Sequence, residues 1–186
     1  MNVIALSKTQ DRNFVAQVEK ESGQSVSQCY QCGNCTAGCP YTSVYDIPVH
    51  QVMRLLQAGQ KQTLLSCRSI WLCASCQSCT TRCPNNIDVA HVMDVLRHMA
   101  RREGHATEYG VKTFVDSFLW WVEHTGRAFE IGLMAMFMAK TGRFWTDLDL
   151  APKTLPKGKL SFIPHKVKNP EAIAKIFERF RQEGHK

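Results

Sequence analysis

Residues 29–40 read CYQCGNCTAGCP and residues 73–84 read CASCQSCTTRCP. Each stretch places four cysteines at the spacing CxxCxxCxxxC and follows the last with proline: Cys29, Cys32, Cys35, Cys39 and Pro40 in the first, Cys73, Cys76, Cys79, Cys83 and Pro84 in the second. The 186-residue chain contains nine cysteines, so the doubled motif takes eight of them and leaves Cys67 outside. The opening MNVIALSKTQDRN lacks the basic start and the apolar core of a secretory leader, so a cytoplasmic location is expected. In a reducing compartment, cysteines this numerous point to metal and not to disulfides.

Three thiolates at successive CxxC spacings can wrap one face of an iron–sulfur cubane, because the short loops between them bend back around the inorganic core. Gly33 and Gly38 are expected to ease that bending. Zinc ribbons place two cysteine pairs around one ion and need neither a triplet nor a fourth cysteine before proline, so the pattern favours two [4Fe–4S] clusters. The motifs resemble those of two-cluster ferredoxins, in which the fourth cysteine of each motif ligates the other cluster. Carried onto this chain, the resemblance implies one cluster on Cys29, Cys32, Cys35 and Cys83, and a second on Cys73, Cys76, Cys79 and Cys39. Cys67 is expected to be a small buried residue.

The segments between the motifs read as helices. Asp46 is an expected N-cap, with Pro48 in the first turn, an apolar stripe of Val49, Val52, Met53, Leu55 and Leu56, and Gly59 as the stop. After the second motif the plan recurs, with Asp88 as N-cap, a stripe of Val89, Val92, Met93, Val95, Leu96 and Met99, basic Arg97, Arg101 and Arg102, and then Gly104. HQVMRLL from His50 loosely echoes HVMDVL from His91. A further helix before the first motif carries Phe14, Val15 and Val18 on one side. The expected fold is mainly α: an α-helical ferredoxin over residues 1–110, with two similar half-units.

Residues 111–150 form an expected apolar helical extension, rich in Phe, Trp and Met and interrupted near Gly126. It either completes the core or presents a partner-binding surface, since methionines adapt to what they touch. Its longest uncharged apolar run, Ile131 to Ala139, falls well short of the roughly 20 residues a membrane-spanning helix requires. Residues 151–186 form a basic tail that carries 9 Lys and Arg against 3 Glu, and thus +6 of the formal +7. Pro152, Pro156, Pro164 and Pro170 make the stretch from Ala151 to Pro170 an expected extended arm, followed by a short helix to Gln182.

Two oxidised cubanes with their thiolates add about −4, turning +7 into about +3. The cysteine-bearing body becomes acidic while the tail stays basic. Such an arm suits a neighbouring protein in a complex. Nucleic acid is not expected, because the tail has no Arg-rich run or aromatic–glycine pattern. GHATEYGVKT from Gly104 imitates a P-loop with one residue too many between its glycines, and no GxGxxG occurs.

The runs CYQCGNCTAGCP from Cys29 and SIWLCASCQSCTTRCP from Ser69, together with the later TGRAFEIGL and LPKGKLSFIPHKVK, resemble the small iron–sulfur chain, the C-type subunit, of heterodisulfide reductases. The resemblance extends over nearly the whole chain, and the region after Gly126 narrows it, since the motifs alone are shared with other helical ferredoxins. It implies an electron-transfer subunit without catalytic residues, relaying electrons between two partners: a flavin-containing chain of the A type (HdrA-like) and a disulfide-reducing chain of the B type (HdrB-like). Hydrogenase or formate dehydrogenase modules would connect through the complex. The adjacent-cysteine repeats of the B-type chain are absent here. Two other readings keep fewer of these features: the iron–sulfur subunit of a membrane-bound quinone-interacting oxidoreductase, and a cysteine-rich module that binds nucleic acid through the tail.

Overall fold

A computed structural model of the chain describes residues 10–105, 107–144, 161 and 163–183. Among these residues the regular structure is helical, with no strand. The chain divides into two compact units, Met1–Glu108 and Tyr109–Lys186.

The first unit contains α1 (Arg12–Ser22), two short helices α2 (Asn34–Ala37) and α6 (Ser78–Thr81) inside the cysteine motifs, α3 (Val49–Gln57), α4 (Lys61–Leu65), α5 (Ser69–Leu72) and α7 (Val89–Arg102). The expected stripes are its core. Val52, Met53 and Leu56 of α3 and Val92, Met93, Leu96 and Met99 of α7 are fully buried with Phe14, Val18, Leu64, Leu65 and Ile70. Each such side chain contributes about 1.5–3 kcal/mol on burial. α1 packs along α7, and the exposed ends of the pair are tied by Arg102 and Glu21 at 2.5 Å.

The helices that follow the two motifs, α3 and α7, stop in the same way. At the end of α3 the amide of Gly59 donates to Leu56 O and that of Gln60 to Leu55 O; at the end of α7 the amides of Gly104 and His105 donate to Arg101 O and Ala100 O. These are Schellman closures, with the expected glycines just past the helix ends.

Their starts differ from expectation at one point. Asp88 caps α7 as expected, accepting the His91 amide, but Asp46 does not cap α3. Pro48 is the N-cap residue there, with no side-chain bond of its own. The Asp46 carboxylate instead accepts the amides of Arg68 and Ser69 at 2.9 Å and the Ser69 hydroxyl at 2.6 Å, capping α5 more than twenty residues away. Asp46 stands two residues before the Pro48 N-cap of α3, whereas Asp88 is itself the N-cap residue of α7. Burial works against this carboxylate's charge, yet the Ser69 hydroxyl and the surrounding amides hold its pKa below the ordinary range.

The second unit holds α8 (Tyr109–Thr125), α9 (Glu130–Thr141) and α10 (Pro170–Glu183). The break expected near Gly126 separates α8 from α9. Tyr109 reaches Lys140 O, Phe114 meets Phe137 and Trp121 meets Phe129, a succession that makes the two helices an antiparallel hairpin. α10 packs on α8, with Arg181 paired to Glu123 at 2.7 Å. The tail helix therefore starts at Pro170 as expected. The extended arm expected over 151–170 lies largely outside the described residues, Pro152 and Pro156 included. Among the described helices none is long and apolar enough to cross a membrane.

Candidate metal centre

The two cysteine motifs fold as copies. The residue after the second cysteine takes a left-handed conformation in both, Gly33 at φ 80° and Gln77 at φ 66°, and so does the residue two after the first, Gln31 at φ 64° and Ser75 at φ 50°. Two sharp turns per loop lead into α2 or α6, and the third cysteine of each motif lies within that helix. Gly33 therefore bends the chain as expected, and the second motif makes the same bend without glycine. Gly38 does not, since its φ of −93° is ordinary. A side chain there would have its Cβ 2.3 Å from Arg82 Cδ, so Gly38 lets the arginine of the other motif lie across it. Gly38 and Arg82 are the residues just before the two fourth cysteines, and α2 packs against α6.

Each motif also starts the helix that follows it. Thr36 Oγ1 accepts the amide of His50 at 2.9 Å, and Thr80 Oγ1 accepts that of Ala90 at 3.1 Å; both amides belong to the second residue of their helix. Thr36 further contacts His50 Nδ1 at 2.8 Å, and Thr80 donates to Asp88. The register that results pairs His50 with Ala90, Val52 with Val92 and Gln57 with Arg97. It differs by one residue from the His50 to His91 echo read in the sequence.

Cys32 and Cys76 are exposed, Cys35 and Cys79 buried, and the first and fourth cysteines of both motifs are intermediate. One partly open cavity is lined by Cys29, Cys32, Cys35 and Cys83, with Met53 and Ile87 among its apolar walls. Thiols from both motifs thus meet in one space. On the other side, burial first and then the nearby Cys73 and Cys39 push the Tyr45 phenol pKa strongly upward. Burial also raises Cys35, and pushes Cys79 up to about 11 with Cys73 contributing, whereas the Ser78 hydroxyl lowers exposed Cys76. Buried thiols of this kind become thiolates when a cation shares their space. The donor type, four thiols around one apolar-walled cavity and four more in the matching motif positions, fits iron–sulfur clusters. Cys67 is 3% exposed within the apolar core, as expected, and burial raises its thiol.

Three further side chains hold the motifs that the sequence reading did not single out for this. Gln31 Nε2 donates to Cys29 Sγ at 3.3 Å. Gln57 Nε2 donates to Val26 O and Cys29 O, at 3.0 and 2.7 Å. Arg97 reaches Ile70 O through Nε and Cys73 O through Nη2, both at 2.7 Å. The helix echo, carried one residue past its end in the correct register, would have aligned Gln57 with Arg97.

Residues 28–88 match the family model described as a 4Fe-4S dicluster domain. This supports two [4Fe–4S] clusters as the cofactors. The chain is also similar to the C subunit of the H2:CoB-CoM heterodisulfide, ferredoxin reductase of Methanothermobacter thermautotrophicus, at 32% identity over 94 residues, 50% of this chain and 51% of that one. The iron–sulfur C 2 subunit of the CoB–CoM heterodisulfide reductase of Methanocaldococcus jannaschii is 32% identical over 114 residues, 56% of this chain and 60% of the relative. The C subunit of the ferredoxin:CoB-CoM heterodisulfide reductase of Methanosarcina acetivorans is 37% identical over 83 residues, 45% of this chain and 33% of the relative. The chain thus spans about half the length of the curated relatives it matches. The resemblance to the C-type heterodisulfide reductase subunit, read from the motifs, is therefore present in the comparison of sequences, over about half of the chain.

Proposed function

We propose that the chain relays electrons within a heterodisulfide-reductase-like complex, between a flavin-containing partner of the A type and a disulfide-reducing partner of the B type. In this reading Cys29, Cys32, Cys35 and Cys83 hold one [4Fe–4S] cluster, and Cys73, Cys76, Cys79 and Cys39 hold the other. The observation that carries it is the meeting of Cys83 with the first three cysteines of the other motif around one cavity. The neighbourhood of Tyr45 to both Cys39 and Cys73 supports the reciprocal set.

When bound, the clusters supply one-electron chemistry. The protein's part is to hold and insulate them. Crossed ligation fixes the separation of the clusters through the contact of α2 with α6, and Met53, Ile87 and Val89 keep water from the first. Cys32 and Cys76, both exposed, would place one protein ligand of each cluster near the surface. No general acid, base or nucleophile is needed, and the disulfide is reduced on the partner. The reading places the chain in the cytoplasm, with its basic tail strapped to a neighbouring protein of the complex. Hydrogenase or formate dehydrogenase modules would connect through the same complex.

The test is anaerobic purification of the native complex, followed by identification of its subunits and cofactors. Flavin and disulfide-reductase subunits, with about eight irons on this chain, are expected. Recovery instead with a quinone-reactive membrane subunit, or with zinc in place of iron, overturns the proposal. Truncation before Pro152 is expected to release the chain from its neighbours with its iron retained.

A further inference from the structure

The first cysteine of each motif is clamped by the same device made from different chemistry. Gln57 is the ninth residue of α3 and Arg97 the ninth of α7. Each donates two hydrogen bonds to backbone carbonyls of its motif. One goes to the first cysteine, Cys29 or Cys73, and the other to the residue three before it, Val26 or Ile70. The geometry is shared by the half-units, but the charge is not: a neutral amide stands on one side and a guanidinium on the other. Guanidinium stays protonated throughout the accessible pH range. Arg97 is only 29% exposed, so its charge is incompletely screened by solvent.

The flanking residues differ as well. Asp94 lies 3.5 Å from Arg97 Nη2 and accepts the Ser75 hydroxyl at 2.7 Å, offsetting part of the arginine charge. The matching position on α3 is Arg54, an exposed residue whose Nη1 donates to Gln57 Oε1 at 3.4 Å. Of these groups, Arg97 is the cation bonded directly to the backbone of a cysteine.

We propose that Arg97 is a positioning residue that sets a redox potential: it holds the cluster bound through Cys73 at a higher reduction potential than a neutral clamp would, while Gln57 holds Cys29 without that effect. The proposal rests on the two-cluster reading above. Reduction adds one electron to a cluster, and no proton or bond change accompanies it here. A fixed positive charge beside the cluster stabilises the added electron, so the potential rises.

The test uses the full chain, reconstituted anaerobically, with iron counted and both clusters followed by an EPR-monitored redox titration. Arg97→Gln copies the clamp of the other half-unit, so its carbonyl contacts can be kept while the charge is lost. It is expected to lower one of the two midpoint potentials and leave the other unmoved. Arg97→Lys, which keeps the charge, is expected to restore most of that potential. Gln57→Arg is expected to raise the other potential. Arg97→Gln with full iron and unchanged potentials overturns the proposal. If that variant fails to hold iron, Gln57→Arg decides: a raised potential supports the proposal and an unmoved one overturns it. A wild-type chain that binds no iron–sulfur cluster would instead overturn the reading on which the proposal rests.

Discussion

The hydroxyl of Thr36 lies 2.9 Å from the backbone nitrogen of His50, so the residue after the third cysteine of the first motif serves the first turn of the helix that follows. Thr80 does the same for Ala90. Cysteine loop and core helix are thereby joined at the helix's first turn in each half-unit. Thr36→Val or Thr80→Val keeps the side-chain shape and removes the acceptor, which is expected to cost about 1 kcal/mol each. Thermal unfolding of the holoprotein checks the cost. The rate of iron loss to a chelator should rise in both variants.

Outside the motifs, the Asp46 carboxylate accepts three hydrogen bonds from Arg68 and Ser69. Asp46→Ala leaves the Arg68 and Ser69 amides and the Ser69 hydroxyl without their shared partner, and is expected to cost about 1–2 kcal/mol, read as a lowered melting temperature.

The pH dependence of that cost has a definite sign. Because the folded-state pKa of Asp46 lies below the ordinary carboxylate range, its contribution is complete at neutral pH and is lost as pH falls through the folded value. The melting-temperature gap between wild type and Asp46→Asn should stay constant from neutral pH down to the ordinary carboxylate range and narrow only below it. A gap that narrows near neutral pH contradicts the assignment.

Crossed ligation makes a prediction that uncrossed ligation does not. Cys83→Ser should disturb the same cluster as Cys29→Ser, and Cys39→Ser the same cluster as Cys73→Ser, as judged by which EPR signal changes. Pairing within motifs would group Cys83 with Cys73 instead.

Cys67 stands apart from these eight. Cys67→Ser should leave iron content unchanged while lowering the melting temperature, because a hydroxyl placed at a 3% exposed apolar position costs about 1–3 kcal/mol. Loss of iron in this variant would make Cys67 part of a cluster site.

The sequence by itself determined the doubled cysteine motif, the helical class and the stripes that became the core. Thiol spacing and apolar periodicity are local properties, written in residues near one another. The two helix stops at Gly59 and Gly104 were legible for the same reason. The tertiary structure decided which partners meet over long separations. It sent Asp46 to the start of α5, and it used Gly38 to admit Arg82 where a bend had been expected. It brought Cys83 to the cavity of the first motif, and it placed Gln57 and Arg97 on equivalent carbonyls. Each of these depends on how two half-units pack against each other, and a side chain's choice among competing partners is settled only once that packing brings the partners within reach.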